Sequence, residues 1–255
     1  MKETSLNSEQ SMWNLLWQGL AAGDRNGGPV RLATLLHQSL IDANSQFDEQ
    51  NVFDSYANWY WKEGFDTGPT MGRVMSLVRS GHTIVEAVQK YHLQSQGNTA
   101  GIAPAHRSSP LLMIARDEEL VDLALRESRL THWDPIAGKI SAASLLLCQY
   151  LLEEKNWKDI QYILEARFSL QLNITEIVLS RGGFAPRVFE TAWYFLRTTS
   201  SFAEALQQSL DFAGSANYSP VLVGLWGSCL YKNISPSFLH HPLCPPNSMS
   251  TDIVV

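Results

Sequence analysis

The stretch Ala213-Gly214-Ser215-Ala216-Asn217-Tyr218-Ser219-Pro220 leads into an apolar run that contains Gly224 and Gly227. We expect Ser219 to cap a helix and Pro220 to lie in its first turn, where the missing proline N–H has no intrahelical partner to lose. Each glycine costs a helix about 1 kcal/mol relative to alanine, so two of them predict close packing against another backbone. The stretch therefore predicts a buried helix that begins at a polar loop.

Helix signals recur along the rest of the chain. Two capping boxes are predicted, Thr83-x-x-Glu86 and Ser201-x-x-Glu204, because their hydroxyl and carboxylate groups can satisfy backbone N–H groups reciprocally. The dipeptide Asp134-Pro135 has the pattern of a cap and a first helical residue, and Thr70 and Asp117 are further predicted caps. No segment alternates with the period of two that is typical of a strand. The predicted fold class is all-α.

The sequence predicts one compact multi-helix domain followed by a tail. The 255 residues are 45% hydrophobic and include eight Trp and ten Phe to fill a core, which suits a single large domain. No linker divides residues 1–232. After them, four prolines and several serines replace the helical pattern, so residues 233–255 are predicted to be a flexible tail.

Composition argues against several classes of partner. The formal net charge is −6 and there is no basic run, so the electrostatic footprint of a nucleic-acid or anionic-membrane binder is absent. Cys148, Cys229 and Cys244 fit neither a disulfide framework nor a zinc site, which favours a reducing compartment. No apolar signal region follows the N-terminus, and the most apolar stretch, Ile140 to Leu152, is short for a membrane span. We expect a cytoplasmic protein.

Acidic and small residues with site chemistry lie in the predicted loops. Asp24 can act as a ligand or a base, although a helix-end residue that holds its own turn is the favoured interpretation. For Asp66, a functional role and a capping role are equally favoured. Gly97 and Asn98 can present backbone N–H groups to a phosphate, but an ordinary turn is favoured.

Basic side chains in the same loops are interpreted as structural or solvated. His132 precedes a predicted helix, where a structural hydrogen-bonding role is favoured. His106 and Arg107 can reach an anionic ligand, but a solvated loop is the favoured interpretation. None of the three falls into a recognisable catalytic arrangement by spacing alone.

Five blocks of sequence, in order, resemble the motifs of the ADP-ribosylglycohydrolase family. They are Gly19-x-x-x-Gly23-Asp24, Trp59 with Asp66-Thr67-Gly68-Pro69-Thr70, Gly97-Asn98-Thr99-Ala100 with Pro110-Leu111, Thr131-His132, and the block from Gly183 to Gly224. The resemblance implies the all-α fold of enzymes that remove ADP-ribose from modified side chains with two divalent cations. It implies a catalytic position for Asp66, beside the reaction centre. The ligand-binding set that it implies is Asp24, Gly97, Asn98, Thr99, Ser215 and Asn217.

The chain departs from the family at both metal-binding motifs. The C-terminal motif, Gly-Asp-x-Asp-Thr, places Ser215 and Asn217 at its aspartates and Tyr218 at its threonine. The N-terminal motif, Thr-Asp-Asp-Thr, falls on Gly27-Gly28-Pro29-Val30. Mg²⁺ and Mn²⁺ need oxygen ligands, and two adjacent dications need several carboxylates to offset their repulsion. We therefore expect no metal ligand and no cofactor.

Three hypotheses follow from the resemblance and its departures. The favoured one is a degenerate family member without metal-dependent hydrolysis, which acts as a binding or scaffolding module for an ADP-ribose-like ligand or a protein partner. The alternative is an active hydrolase that cleaves the N- or O-glycosidic bond of ADP-ribosylated substrates, with Mg²⁺ or Mn²⁺ in a rebuilt site at Asp24, Asp66 and Asp134. The third is a purely structural or partner-binding protein whose cleft is filled, and it is motivated by the bulky Tyr218 where the family has threonine.

Overall fold

The computed structural model describes residues 2–25, 27–232 and 234, with the backbone alone for residues 2–10. The predicted tail, residues 233–255, lies outside the described residues except for Ile234, which is buried. Twelve α-helices and one 3-10 helix (Ser109–Met113) occupy the described ranges: α1 (Lys2–Gly23), α2 (Gly28–Asp42), α3 (Glu49–Lys62), α4 (Gly68–Arg79), α5 (Ile84–Gln94), α6 (Ala103–Arg107), α7 (Asp117–Ser128), α8 (Pro135–Leu152), α9 (Trp157–Phe168), α10 (Ala185–Thr198), α11 (Phe202–Ala213) and α12 (Tyr218–Tyr231). One isolated antiparallel bridge, between Gly101 and Phe184, is the only β-type pairing in these ranges. The all-α prediction is confirmed.

Helix α12 lies at the centre of the fold. Every residue from Ser219 to Cys229 is buried, and the helix packs against α1, α8, α10 and α11. A helix that is apolar around its whole circumference is stable only when other elements cover it on all faces. The surrounding helices therefore fix both the position of α12 and the position of the loop that precedes it.

Glycines allow α1 and α12 to approach each other closely. A Cβ atom on Gly19 would lie 2.5 Å from the carbonyl oxygen of Gly224, and a Cβ atom on Gly224 would overlap the backbone of Gly19. A Cβ atom on Gly23 would overlap the backbone of Pro220 in the same way. The predicted close packing at Gly224 is therefore confirmed, because no larger residue fits this backbone-to-backbone contact.

Helix α8 is the second buried element. All residues from Ile140 to Leu151 are buried. Within the described ranges it is the one helix that could cross a membrane by length and composition, but 78% of it is buried inside the fold. Burial of this extent is typical of a core helix.

Two predicted helix starts are shifted. Helix α12 begins before the predicted cap Ser219, and its N-cap Asn217 makes no capping bond because its amide binds carboxylates of other loops. Helix α4 begins before Thr70, since Pro69 suits the first turn of a helix. Both helices begin at the cleft that is described in the next section.

The other predicted caps divide into confirmed and corrected ones. The capping box at Thr83 and the cap at Asp134 are present. Ser201 accepts from the N–H of Glu204, but the Glu204 carboxylate bonds Ser200 instead of completing the box. Asp117 is the first residue of α7 and not its cap. Its N–H donates to a glutamine side chain of α8, a partner that local sequence cannot reveal.

Candidate functional site

A cleft of about 670 Å³ opens where four loops and several helix N-termini meet. Five of the predicted site residues line it, and they come from three loops that are far apart in sequence: Asp66, Gly97, Asn98, Ser215 and Asn217. Asp24 and Thr99 do not line the cleft; both are buried directly behind it. The loops that resemble family motifs are therefore gathered into one site.

Most helices that begin at the cleft lack a side-chain cap; α8 is the exception, because Asp134, which lines the cleft, caps it. Helices α4, α10 and α12 have at least twelve residues each, and their N-caps Thr67, Phe184 and Asn217 make no capping bond. By contrast, α3, α5, α9 and α11 begin away from the cleft and are capped by a side chain. Uncapped N–H groups and the positive end of the helix dipole favour negative charge. These three N-termini therefore favour an anionic group in a cleft that no Lys or Arg lines, and they do so against the carboxylates of Asp66 and Asp134 in the same lining.

Three polar side chains form a cluster at the edge of the cleft, named here the Asp24–Asn217–Asp66 cluster. The Nδ2 atom of Asn217 donates to Asp24 Oδ1 at 3.0 Å and to Asp66 Oδ2 at 3.1 Å. Asp24 also accepts from the N–H groups of Gly27 and Val30, both at 2.9 Å. The amide of Asn217 thus joins the end of α1 to the loop before α4 and the loop before α12.

Burial raises the pKa of Asp24 to about 6, with a smaller contribution from the nearby Asp66 carboxylate. The hydrogen bonds from Val30, Gly27 and Asn217 oppose this shift because they stabilise the ionised form. Asp24 does hold its own turn, as the favoured interpretation predicted, and it also supports Asn217. A carboxyl group with this pKa changes its protonation state close to neutral pH.

Gly28 lets the Asp66 loop pack directly against the start of α2. A Cβ atom on Gly28 would overlap the carbonyl oxygen of Asp66 and would lie 2.9 Å from the Cβ of Asp66. Asp66 itself has a φ of 49°, in the left-handed region that aspartate tolerates better than most residues. The space that a side chain at position 28 would need is therefore occupied by the Asp66 loop.

These residues do not fit the two-cation centre that the family resemblance implies. Over residues 2–25, 27–232 and 234, no three Asp, Glu, His or Cys side chains gather closely enough to hold a metal ion. Between the two carboxylates of the cluster lies an amide N–H group, which is a donor and cannot bind a cation. Two adjacent dications need more negative charge than Asp24 and Asp66 supply.

The Gly97-Asn98-Thr99 turn uses its own N–H groups internally. They donate to the carbonyl oxygens of His92, Ser95 and Gly97 at 2.9, 3.1 and 2.8 Å. These N–H groups are therefore not available to a phosphate. The structure favours the interpretation of an ordinary turn over that of a phosphate-binding loop. The buried Thr99 hydroxyl contacts His92 Nδ1 at 2.6 Å and accepts from the N–H of Asp134 at 3.2 Å, so it supports the cleft wall.

His106 and Arg107 were predicted to lie in a solvated loop, and that prediction is wrong. Both belong to the short helix α6, and both are buried. His106 Nε2 lies 2.8 Å from the carbonyl oxygen of Tyr218, and burial lowers the pKa of His106 to about 4. Arg107 forms a fully buried ion pair with Glu127 at 2.6 Å. The sequence could not predict this arrangement, because the five residues of α6 are too few to show helical periodicity. Glu127, the partner of Arg107, lies 20 residues further along the chain.

Aromatic side chains narrow the cleft without filling it. Ring carbons of Tyr218 lie 3.2–3.5 Å from the position of a Cβ atom on Gly183, so the ring rests against the glycine backbone. Tyr218 is 37% exposed and the adjacent Phe184 is 49% exposed, and both line the cleft. The hypothesis of a filled cleft is therefore wrong. Phe184 was not predicted as a site residue; its only local sequence signal is an aromatic residue directly before Ala185-Pro186.

Comparison with known proteins identifies the family. No curated protein matched the chain. The sequence model described as ADP-ribosylglycohydrolase matches residues 29–240, a span that contains every residue lining the cleft. Since this match covers most of the 255 residues, the chain belongs to the ADP-ribosylglycohydrolase family.

Proposed function

We propose that this protein is a ligand-binding member of its family that does not carry out metal-dependent hydrolysis. The observation that carries this proposal is the Asp24–Asn217–Asp66 cluster, in which an amide N–H group bridges two carboxylates. Hydrolysis with two cations needs bound metal to activate water or to polarise the substrate. A donor in that place repels a cation and occupies Asp24 Oδ1 and Asp66 Oδ2, two of the oxygens that would otherwise face it.

The start of α2 supports the same conclusion. The family places a Thr-Asp-Asp-Thr motif at residues 27–30, where this chain has Gly27-Gly28-Pro29-Val30. Any side chain at Gly28 would overlap the backbone of the Asp66 loop. Restoring a carboxylate there would require that loop to move, so the present packing of the site leaves no room for the family motif.

The cleft retains the features of a small-molecule site. Its volume of about 670 Å³ lies within the range of roughly 300–1,000 Å³ that is common for ligand pockets. Uncapped helix N-termini favour a phosphate group, while Phe184 and Tyr218 offer aromatic surfaces to a planar ring. An ADP-ribose-like ligand combines both chemistries, so it is the ligand that we propose.

Calorimetry with ADP-ribose tests this proposal. We expect stoichiometric binding whose Kd is unchanged by adding Mg²⁺ or Mn²⁺ or by EDTA, and no release of ADP-ribose from modified arginine or serine peptides. The control is Asp54→Ala, which removes a carboxylate from the outer face of α3, distant from the cleft. Metal-stimulated turnover that disappears in Asp66→Ala but persists in Asp54→Ala would contradict the proposal.

Two observations favour the alternative of an active hydrolase. Asp66 and Asp134 both line the cleft, and the pKa of Asp24 is raised to about 6, which suits a general acid or base near neutral pH. Under this alternative Asp66 is the catalytic group. The peptide assay distinguishes the two functions, because only the hydrolase releases ADP-ribose.

A further inference from the structure

The loop of residues 214–217, between α11 and α12, carries Ser215 and Asn217 into the lining of the cleft. In the described chain the backbone of this loop contributes one hydrogen bond within its own turn, from the N–H of Ala216 to the carbonyl oxygen of Ala213 at 3.2 Å. Ser215 is exposed. A short, exposed loop with so few bonds of its own needs contacts from other elements to keep one position.

Arg25 holds the first residue of this loop from the side of α1. Its Nη1 atom donates to the carbonyl oxygen of Gly214, and its Nη2 atom donates to that of Leu210 at 2.8 Å. The neighbouring Asp24 accepts from Asn217, the last residue of the loop, at 3.0 Å. Two consecutive residues at the end of α1 therefore bind both ends of the loop.

Arg181, in the segment before α10, binds the same end of α11. Its Nε atom donates to the carbonyl oxygen of Phe212 at 2.6 Å, and its guanidinium group lies 5.0 Å from the centre of the Phe212 ring. The last turn of α11 contains Asp211 and no basic residue, so its carbonyl groups and negative dipole end favour cations from elsewhere. Because Arg181 is exposed and Arg25 is half-buried, we expect Arg25 to contribute more.

The end of α1 is a firm support for these contacts. A Cβ atom on Gly23 would overlap the backbone of Pro220, so the last turn of α1 packs directly on the first turn of α12. Both of these residues are buried. Arg25 therefore extends from a well-packed element and can fix the position of the loop relative to α12.

We propose that Arg25 is a positioning residue of the cleft: with support from Arg181, it fixes the loop of residues 214–217 so that Ser215 and Asn217 face the cleft before a ligand binds. A loop that is already ordered loses less conformational entropy when it contacts a ligand. Ligand affinity therefore depends on Arg25, although Arg25 does not line the cleft. This inference rests on the proposed function for the identity of the ligand. It does not rest on it for the order of the loop.

Hydrogen–deuterium exchange of the segment 210–220, read by mass spectrometry, tests the loop contact without any ligand. In Arg25→Ala we expect faster exchange of the Gly214 and Ala216 amides than in the wild type. Arg25→Lys keeps the charge but lacks the two-pronged guanidinium group, so it should restore part of the protection. Arg79→Ala, which removes an exposed arginine at the end of α4, is the control and should leave the exchange unchanged. Unchanged exchange in Arg25→Ala would overturn the proposal.

Calorimetry with ADP-ribose tests the consequence for the ligand. Loss of the charged hydrogen bonds that order the loop predicts about tenfold weaker binding in Arg25→Ala, a smaller loss in Arg181→Ala, and partial rescue in Arg25→Lys. The midpoint of urea unfolding should change little, because a loop can open without global unfolding.

Two results of this calorimetry have different meanings. Equal binding by the wild type and Arg25→Ala would overturn the positioning role of Arg25 towards the ligand. Failure of the wild type to bind ADP-ribose would overturn the proposed function and, with it, the positioning role towards this ligand. The exchange measurement would then still decide whether Arg25 orders the loop.

Discussion

Asn217 places a neutral amide between two carboxylates, where a cation would otherwise be needed to balance their charge. Its Nδ2 atom contacts carboxylates from two other loops, at 3.0 and 3.1 Å, and only 5% of the residue is exposed. Burying a second or third charge there would carry a large desolvation cost unless a cation compensated it. The amide avoids that cost and holds three loops together at the edge of the cleft.

We predict that Asn217→Asp destabilises the protein and makes it responsive to divalent cations. Three carboxylates would then lie close together, so the free energy of unfolding should fall by about 1–3 kcal/mol. Millimolar Mn²⁺ should restore part of the loss, as judged by thermal unfolding. Asn58→Asp, at an exposed position of α3 that does not line the cleft, is the control and should change stability little. No response of Asn217→Asp to Mn²⁺ would contradict this reasoning.

The Arg107–Glu127 pair predicts a large cost for removing one partner. In Glu127→Gln the fully buried Arg107 charge would lose its counter-charge, and we expect about 3–5 kcal/mol of destabilisation in urea unfolding. Glu118→Gln breaks a pair in which the glutamate is 80% exposed, so its effect should be about 0–1 kcal/mol. Similar costs for the two variants would disprove the special role of the buried pair.

At the level of elements, the contact between α1 and α12 depends on glycine on both sides. In Gly224→Ala the new Cβ atom would overlap the backbone of Gly19, which cannot move aside as a side chain tip can. We expect a loss of at least about 2 kcal/mol, in line with overpacking in other cores. The measurement is the midpoint of urea unfolding.

Gly72 provides the matched control for this prediction. It lies inside α4, and a Cβ atom there would approach only the flexible Tyr60 side chain, at 3.1 Å from the hydroxyl. Gly72→Ala should therefore be neutral or stabilising by up to about 1 kcal/mol, because alanine is the better helix former. Equal destabilisation by both substitutions would show that the backbone overlap at Gly224 does not distinguish these sites.

The elements differ in how far the sequence predicts them. Gly224 and the caps at Thr83 and Asp134 are local signals, and each is confirmed. Helix α6 is not predictable in this way, since its five residues carry no periodicity and its burial depends on Glu127, which lies in α7. The resemblance predicted that the polar loops form one site. The contacts of Asn217 were not predictable, because hydrogen-bond partners from three loops depend on tertiary packing.

For the whole molecule, we predict that the free energy of unfolding falls as pH decreases below about 6.5. Burial lowers the pKa of His37 and His106 to about 4 and that of His132 to about 3. Each histidine contributes stability above its unfolded pKa of 6.5, and this contribution is lost as the pH falls towards the folded value. Urea unfolding at pH 5 and pH 7 measures the difference.

Asp24 acts in the opposite direction. Its pKa rises from 3.8 to about 6 on folding, so its contribution is present below pH 3.8 and is lost as pH rises through 6. A shift of this size corresponds to about 3 kcal/mol at most, less than three histidines supply together. We therefore expect Asp24→Asn to make the loss of stability between pH 7 and pH 5 steeper. A shallower dependence would show that the raised pKa is wrong.

The region of family similarity begins at residue 29, yet the fold depends on what precedes it. Trp13, Leu16 and Leu20 of α1 are core residues, and Gly19 and Gly23 of the same helix contact α12 directly. A truncated protein that starts at residue 29 would expose one flank of its most apolar helix to water and would lose a partner of Asn217 as well. We therefore expect a fragment limited to the matched span, residues 29–240, to be much less stable than the full chain, because the folding unit includes helix α1 upstream of that span.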